Sequence, residues 1–205
     1  MQAYWYQILN LFMAIDFLIK YFNNHLSLNN EEISFLEEVF ICRRVKRRQF
    51  ILQQGDVCKL NTFVVEGCLK MYHVDKNAKE HNLQFAIENW WIGDIGSFHS
   101  EEPSRLYIEA IEPSVILQIR KEDQIRMFVE YPKFNRIFRV ITENALVSSQ
   151  RRTLQNISFT AEERYADFMQ RYPGLFNRIS SVQIASYLGV TPEFLSKVRK
   201  RMAQA

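Results

Sequence analysis

SVQIASYLGVTPEFLSKVRK, residues Ser181–Lys200, reads as two short helices joined by a tight turn. Ile184, Ala185 and Leu188 recur at helical spacing and predict a first helix over Ser181–Leu188. Gly189 ends it, because the turn needs a positive φ that glycine adopts without strain. Thr191 can cap the next helix with its hydroxyl, and Pro192 takes the first helical position, where a missing N–H costs nothing. The second helix runs to Arg201, buries Leu195 and Val198, and leaves Glu193, Ser196, Lys197, Lys200 and Arg201 outside. Helix pairs of this kind also occur in proteins that never touch DNA. Here Ala185 is small where the helices cross, Gly189 follows four residues later, and the outer face is basic and polar. Those features favour a helix-turn-helix that reads DNA.

Upstream of this stretch the pattern stays helical. Thr160 and Glu163 form a capping box for a helix over Ala161–Arg171, which Tyr172-Pro173-Gly174 stops. Before it a long helix runs from Pro132 to Gln155. Phe134, Phe138, Ile141, Ala145 and Ser148 share one stripe, and Val140, Val147 and Leu154 lie beside it at heptad spacing. A helix apolar over this width must touch two things. One reading buries it inside a monomer. The other pairs it with the same helix of a second copy as a parallel seam, and it is preferred because a helix-turn-helix reads two half-sites most simply as a two-fold dimer.

Between Arg43 and Arg120 the period changes. Short β-rich runs at 44–48, 49–53, 62–66, 68–74, 79–86, 107–111 and 115–120 are punctuated by Gly55-Asp56, Glu66-Gly67, Asp75-Lys76-Asn77, Gly93-Asp94 and Glu112-Pro113. Many short strands at this spacing predict a small barrel or jelly roll. The charges of RRVKRR, Arg43–Arg48, read as a solvated strand face around Val45. A helix through Phe40 is capped by Asn29 or Asn30, with Glu31 and Glu32 favourably placed in its first turn. Lys121–Tyr131 is a further short helix, stopped before Pro132.

Composition narrows the classes. The chain has 205 residues, 47% of them hydrophobic, and a formal charge of +3. That mild charge neither requires nor excludes nucleic acid, while Lys197–Arg201 concentrates cations at one helix end. Three cysteines, Cys42, Cys58 and Cys68, without paired spacing argue against a disulfide framework and for a reducing cytoplasm. The apolar N-terminal stretch is interrupted by Asp16 and Lys20, which argues against a membrane span, and it lacks the basic start and cleavage site of a secretory signal. It is expected to be an amphipathic helix, packed on the body or on a second subunit; residues 1–12 are either a true extension or an artefact of a start at Met13. His73, His81 and His99 are scattered, with no metal-ligand spacing, so no catalytic, metal or cofactor site is expected.

Four segments together, Phe50–Asp56, Val64–Lys70, Gly93–Phe98 and Gln183–Lys200, resemble the CRP/FNR superfamily of bacterial transcription regulators, and among these the compact members common in the Bacteroidetes. The resemblance implies an α+β chain. Helices over 1–41 pack on a cyclic-nucleotide-binding-like double-stranded β-helix, or jelly roll, at 42–131. A dimerisation helix occupies 132–156, and a DNA-binding helix-turn-helix without a C-terminal wing occupies 157–205. It implies a cytoplasmic homodimer joined through Pro132–Gln155. Its partners would be double-stranded DNA, a small-molecule effector and RNA polymerase.

In nucleotide-binding relatives, the segment matching Gly93-Asp94-Ile95-Gly96 opens a phosphate-binding cassette. A Glu there holds the ribose, and an Arg-Ser pair further on takes the cyclic phosphate. Asp94 replaces that Glu, and the pair is reversed as Ser104-Arg105. Reversal in a strand turns each side chain to the opposite face, so Arg105 should point out of the pocket. Cyclic AMP is therefore not the expected effector. Ser149 and Gln150 match positions that reach the base. The resemblance puts Pro192 where well-known members carry a guanine-reading Arg. It leaves Glu193 and Lys197 to read bases, with Thr191, Ser196, Lys200 and Arg201 on phosphates. Two other classes remain open: a small-molecule sensor acting through protein contacts with a degenerate helix-turn-helix, and a cupin-like enzyme.

Overall fold

The computed structural model describes the backbone of residues 2–202 and the side chains of residues 13–202. Eight helices and eight strands follow in the order α1 (Gln2–Asn23), α2 (Asn30–Val39), β1 (Ile41–Val45), β2 (Phe50–Leu52), β3 (Leu60–Glu66), β4 (Leu69–Val74), β5 (Glu80–Ala86), β6 (Trp91–Ile92), α3 (Ile95–Ser100), β7 (Tyr107–Ala110), β8 (Ser114–Arg120), α4 (Lys121–Glu130), α5 (Lys133–Ser158), α6 (Ala161–Arg171), α7 (Ser181–Leu188) and α8 (Pro192–Met202). Contacts divide the chain into two compact units. The β-domain unit comprises Met1–Met71 and Gln84–Val140; the helical unit comprises Tyr72–Leu83 and Ile141–Ala205. The sequence pattern puts a boundary near Asn156–Thr160. The contacts instead divide α5 after Val140 and assign the β4–β5 hairpin to the helical unit.

In the β-domain unit the strands form two four-stranded sheets, ordered β1-β8-β3-β6 and β2-β7-β4-β5. The recorded pairs β1–β8, β3–β8, β3–β6 and β2–β7 are antiparallel. Val45, Leu52, Val64, Leu69, Ile108 and Ile116 belong to one buried cluster. Phe63, Val64 and Val65 are consecutive and all buried, so β3 is covered on both faces and shows no alternation. The second cover is helical, since α1 packs on β1, β3 and β8. Ala14, Ile15, Leu18 and Phe22 are buried there, the spacing of one helix face. The Phe22 ring lies 6.4 Å from Trp91 and 5.5 Å from Phe134, and Trp91 lies 5.1 Å from Phe138. The expected amphipathic helix therefore packs on the body from Met13 onward. Whether residues 1–12 are a true extension concerns side chains outside those described.

Several elements differ from the sequence reading. The strand expected at 44–48 lies at Ile41–Val45, and Arg48 adopts φ +64° in the following turn. Its N–H donates to the Ala110 carbonyl at 2.7 Å, which the turn makes possible. Two elements went unread, β6 and α3, both too short to show a period. α5 runs three residues past Gln155. Arg43 is half-buried and donates to Gln118 at 2.9 Å, so it is not part of a solvated face. Cys58 and Cys68 are buried as core residues, whereas Cys42 is only half-buried.

In the helical unit, three capping devices match the residues that demand them. Thr160 and Glu163 form the expected box. Ser180 and Gln183 form a second, which the sequence reading missed. Thr191 accepts from the Phe194 N–H at 3.2 Å. Gly189 has φ +69°, and its N–H reaches back to α7. Ile184, Ala185, Leu188, Leu195 and Val198 are buried together with Tyr165 and Phe168 of α6. No helix among the described residues is long and apolar enough to cross a membrane. The expected absence of a wing concerns the chain beyond Met202, outside the described residues.

Gly67 links β3 to β4 at φ +101°, and a Cβ there would stand 2.2 Å from the Ser114 Oγ and 2.7 Å from its Cα. Gly67→Ala adds both backbone strain and overlap, and should cost about 2 kcal/mol or more in chemical denaturation. An unchanged midpoint would mean that the β3–β8 pairing yields freely at this turn.

Candidate DNA-reading helix and effector cassette

Two groups of side chains were singled out from the sequence, and they lie mostly in different units. In the helical unit, Leu195 and Val198 seat α8 against α7, which fixes the outward face by helical period. Thr191, Glu193, Ser196, Lys197, Lys200 and Arg201 are all exposed on it. Their environments differ. Thr191 spends its oxygen on the N-cap, and hydrogen bonding at the helix start holds the Glu193 carboxyl below the usual carboxylate range. Glu193 is thus an ionised acceptor. The Ser196 hydroxyl donates back to the Pro192 carbonyl at 3.0 Å. Arg201 pairs with Glu162 of α6 at 3.0 Å, an exposed contact of small value that a phosphate can displace. Arg199, unread from the sequence, donates to Ser181 at 3.0 Å and lies 4.7 Å over the Phe176 ring, so it braces α8 on the loop before α7.

In the β-domain unit, Asp94 is the N-cap of α3. One carboxylate oxygen accepts from the Ser97 N–H at 3.2 Å and the other from the Ser104 hydroxyl at 2.6 Å. Ser104 is 3% exposed, while Arg105 is exposed. The two lie in the loop before β7 and not in a strand, so their opposite burial is set by the loop rather than by strand alternation. The buried position that would need a guanidinium to meet a phosphate holds a hydroxyl, and that hydroxyl is engaged by Asp94. Ser97 also closes the segment, accepting from the Cys58 N–H at 2.9 Å and donating to the Glu102 carbonyl at 2.6 Å. Burial pushes the Cys58 thiol above its ordinary pKa, which leaves it an unreactive core group. Glu101, at φ +61°, caps α3 and pairs with Lys121 at 2.7 Å. Gly93, Ile95 and Gly96 flank the Asp94 cap; Ile95 is 59% exposed, so it does not line a closed pocket. A cleft of about 330 Å³ opens beside this segment, lined by Ile51, Leu52, Cys58, Thr62, Ile108 and Gln118.

Ser149 and Gln150 are exposed on the part of α5 that belongs to the helical unit. They are not brought together with the cassette residues within either unit. The sequence reading missed Arg152 and Asn82, which carry much of the polar bonding in the helical unit. Neither stands in a recognisable motif, and the partners of Arg152 are backbone carbonyls.

Residues 42–131 match the family described as the cyclic nucleotide-binding domain. Over 191 residues the chain is 25% identical to the transcriptional activator protein Anr of Pseudomonas protegens, covering 87% of this chain and 78% of that protein. It is 24% identical to the regulatory protein HlyX of Actinobacillus pleuropneumoniae, with 87% and 79% covered. Among solved structures, FixK2 of Bradyrhizobium japonicum aligns with a TM-score of 0.71 at 18% identity, covering 81% of this chain and 85% of that one. The regulator CLP of Xanthomonas campestris, described as c-di-GMP responsive, aligns at 0.68 and 16%, covering 86% and 92%. These structural likenesses establish the fold. With a match to the cyclic nucleotide-binding domain at 42–131 and two regulatory proteins aligning over 87% of its length, the chain is similar to transcription regulators that carry such a domain.

Proposed function

We propose that this chain is a cytoplasmic, non-enzymatic transcription regulator of CRP/FNR type. A jelly-roll sensor domain and a dimerisation helix would serve a helix-turn-helix that reads a two-fold operator and presents the bound dimer to RNA polymerase. The observation that carries this is the outer face of α8. Glu193 and Lys197 stand one helical turn apart, exposed, on a helix locked by Leu195 and Val198. A carboxylate can accept from a cytosine amino group and an ammonium can donate to guanine O6 and N7. Thr191, Ser196, Lys200 and Arg201 flank them at positions suited to phosphates. The similarity to activator and regulatory proteins over 87% of the chain supports the same reading.

The dimer seam is proposed from α5. Leu146, Val147 and Leu154 are 58, 57 and 58% exposed and Ile157 is 79% exposed, along a half of α5 whose other side chains from Thr142 onward are polar or small. The same face of a second copy would cover them.

Cyclic AMP is not the proposed effector. Asp94 is satisfied by Ser97 and Ser104, and Arg105 is exposed, so no guanidinium fork stands ready for a cyclic phosphate.

Lys197→Ala should cost about 1–3 kcal/mol for a selected operator and relax preference at one base pair, whereas Lys200→Ala should weaken all sequences alike and flatten the salt dependence. Competition binding at two salt concentrations separates the two; an unaffected Lys197→Ala would move the reading face elsewhere. Leu154→Glu should turn a dimer into a monomer in sedimentation, and a variant that stays dimeric would relocate the seam. Cyclic AMP should leave the thermal unfolding midpoint unchanged, where a ligand at a hundred times its Kd would stabilise the fold by about 2.7 kcal/mol. A raised midpoint would restore the nucleotide to the pocket.

A further inference from the structure

Within the helical unit, the hairpin Tyr72–Leu83 grips the first helix of the helix-turn-helix on its solvent side. The Asn82 N–H donates to the Ser186 Oγ at 3.0 Å, and its side-chain Nδ2 donates to the Gln183 carbonyl at 3.1 Å. The Ser186 hydroxyl returns a bond to the Glu80 carbonyl at 2.7 Å. Ile184, Ala185 and Leu188 meanwhile face inward, so α7 is held on both sides. The hairpin itself is stiffened at its tip. Asp75 accepts from the Asn77 and Lys79 N–H groups and contacts the His81 ring nitrogen at 2.8 Å.

Arg152 of α5 joins the same assembly. Its guanidinium donates to the Asn82 carbonyl at 2.8 Å, to the Tyr187 carbonyl at 3.0 Å, and to the Leu83 carbonyl. It also lies 4.1 Å over the Tyr187 ring. One side chain thus bonds the long helix to the hairpin and to the last turn of α7. At about 100° per residue, Arg152 points away from Leu146, Val147, Leu154 and Ile157. The proposed dimer seam and the attachment of the reading head therefore occupy opposite faces of one helix, within a few residues of each other.

The clamp is not tightly optimised. The Asn82 Oδ1 is buried without a hydrogen-bond partner, and burial disfavours the charged form of Arg152. A buried acceptor left unmet costs free energy, and a guanidinium among neutral carbonyls recovers less than one facing a carboxylate. Such a contact can open and reclose. Its hairpin strands continue without a break into Leu69–Met71 and Gln84–Ala86 of the second sheet.

We propose that Arg152 and the Asn82–Ser186 contact form a clamp that sets the orientation of the helix-turn-helix on the dimerisation helix, and so fixes the spacing between half-sites that the dimer accepts. This rests on the reading of the chain as a dimeric DNA reader. Two reading heads must sit about 34–36 Å apart, one turn of DNA, to bind together. A head free to swing on its linker meets its own half-site as before but loses the advantage of simultaneous binding.

The test is binding-site selection by the full chain from a library of randomised half-sites with variable spacers. Wild type, Arg152→Lys and Ser186→Ala are compared, each with its affinity for an isolated half-site. Wild type should enrich a two-fold site with one preferred spacer. Both variants should enrich the same half-site with several spacers, and lose about tenfold or more in affinity for the wild-type site. Their affinity for the isolated half-site should be unchanged. Equal spacer preference in all three proteins would overturn the clamp. So would a parallel loss on the isolated half-site, which would make Arg152 a mere folding residue.

Amide exchange without DNA separates this inference from the reading beneath it. Arg152→Lys should speed exchange in α7 and in residues 72–83, and unchanged protection would overturn the clamp whatever the DNA result. Selection of no motif by wild type would overturn the operator-spacing role through the DNA reading itself.

Discussion

One 26-residue helix, α5, meets different surroundings along its length and around its circumference. Near its start Phe134, Ile137 and Phe138 are buried, with Phe134 and Phe138 packed beside Phe22. From Thr142 onward its side chains are exposed except at Arg152 and Gln155, which are half-buried. A helix has only one period, so a single run of residues must serve both ends. The stripe through Phe134 and Phe138 continues to Ala145 and Ser148, which are small and exposed, while Val147 and Leu154 take up the apolar role on a different face. That change of face part-way along is what makes one helix able to belong to two compact units.

In the cassette the Asp94 carboxylate is engaged within its own segment. The Asp94 carboxylate turns back to cap α3 and accepts the Ser104 hydroxyl. Each carboxylate oxygen thus holds one hydrogen bond from within the segment. Ser104 in turn is held by its neighbours, since its backbone bonds Gly55 and Asp56 across the loop. The adjacent cleft is lined by Asp56 and Lys59 as well as by neutral side chains, among which Gln118 donates to Thr62 at 3.0 Å.

The parts of the fold that could be read from the sequence are those governed by local chemistry. Gly189, Thr191 and Pro192 placed α7 and α8 within a residue, and Thr160 with Glu163 placed the start of α6, because caps and turns are decided by a few adjacent atoms. Strand alternation failed at β3, where helix α1 covers the face that alternation would leave wet. It failed again after Val45, where a left-handed Arg48 turns the chain for a bond to Ala110. At the candidate sites, the exposure of α8 side chains followed from the helical period, whereas the burial of Ser104 beside an exposed Arg105 is set by a loop ahead of β7 that the expected pleat does not describe. The engagement of Arg201 with Glu162 did not, because the two lie 39 residues apart.

Asn82 and Arg152 show the limit most clearly. A sequence pattern marks Asp75-Lys76-Asn77 as a turn and stops there; it carries no information about what the strands beyond the turn will touch. Arg152 has a chemical reason to be arginine that only the structure exposes. Three carbonyls from two elements converge on it, and a planar guanidinium can bond all of them while its face rests on Tyr187. A lysine ammonium would bond fewer at fixed directions and would lose the stacking. Because carbonyl acceptors belong to the backbone, any residue at Asn82, Leu83 or Tyr187 could supply them, so the partners leave no signature in residue type. Among these three bonds the only side chain engaged is that of Arg152, and its role becomes visible only when the chain is folded around it.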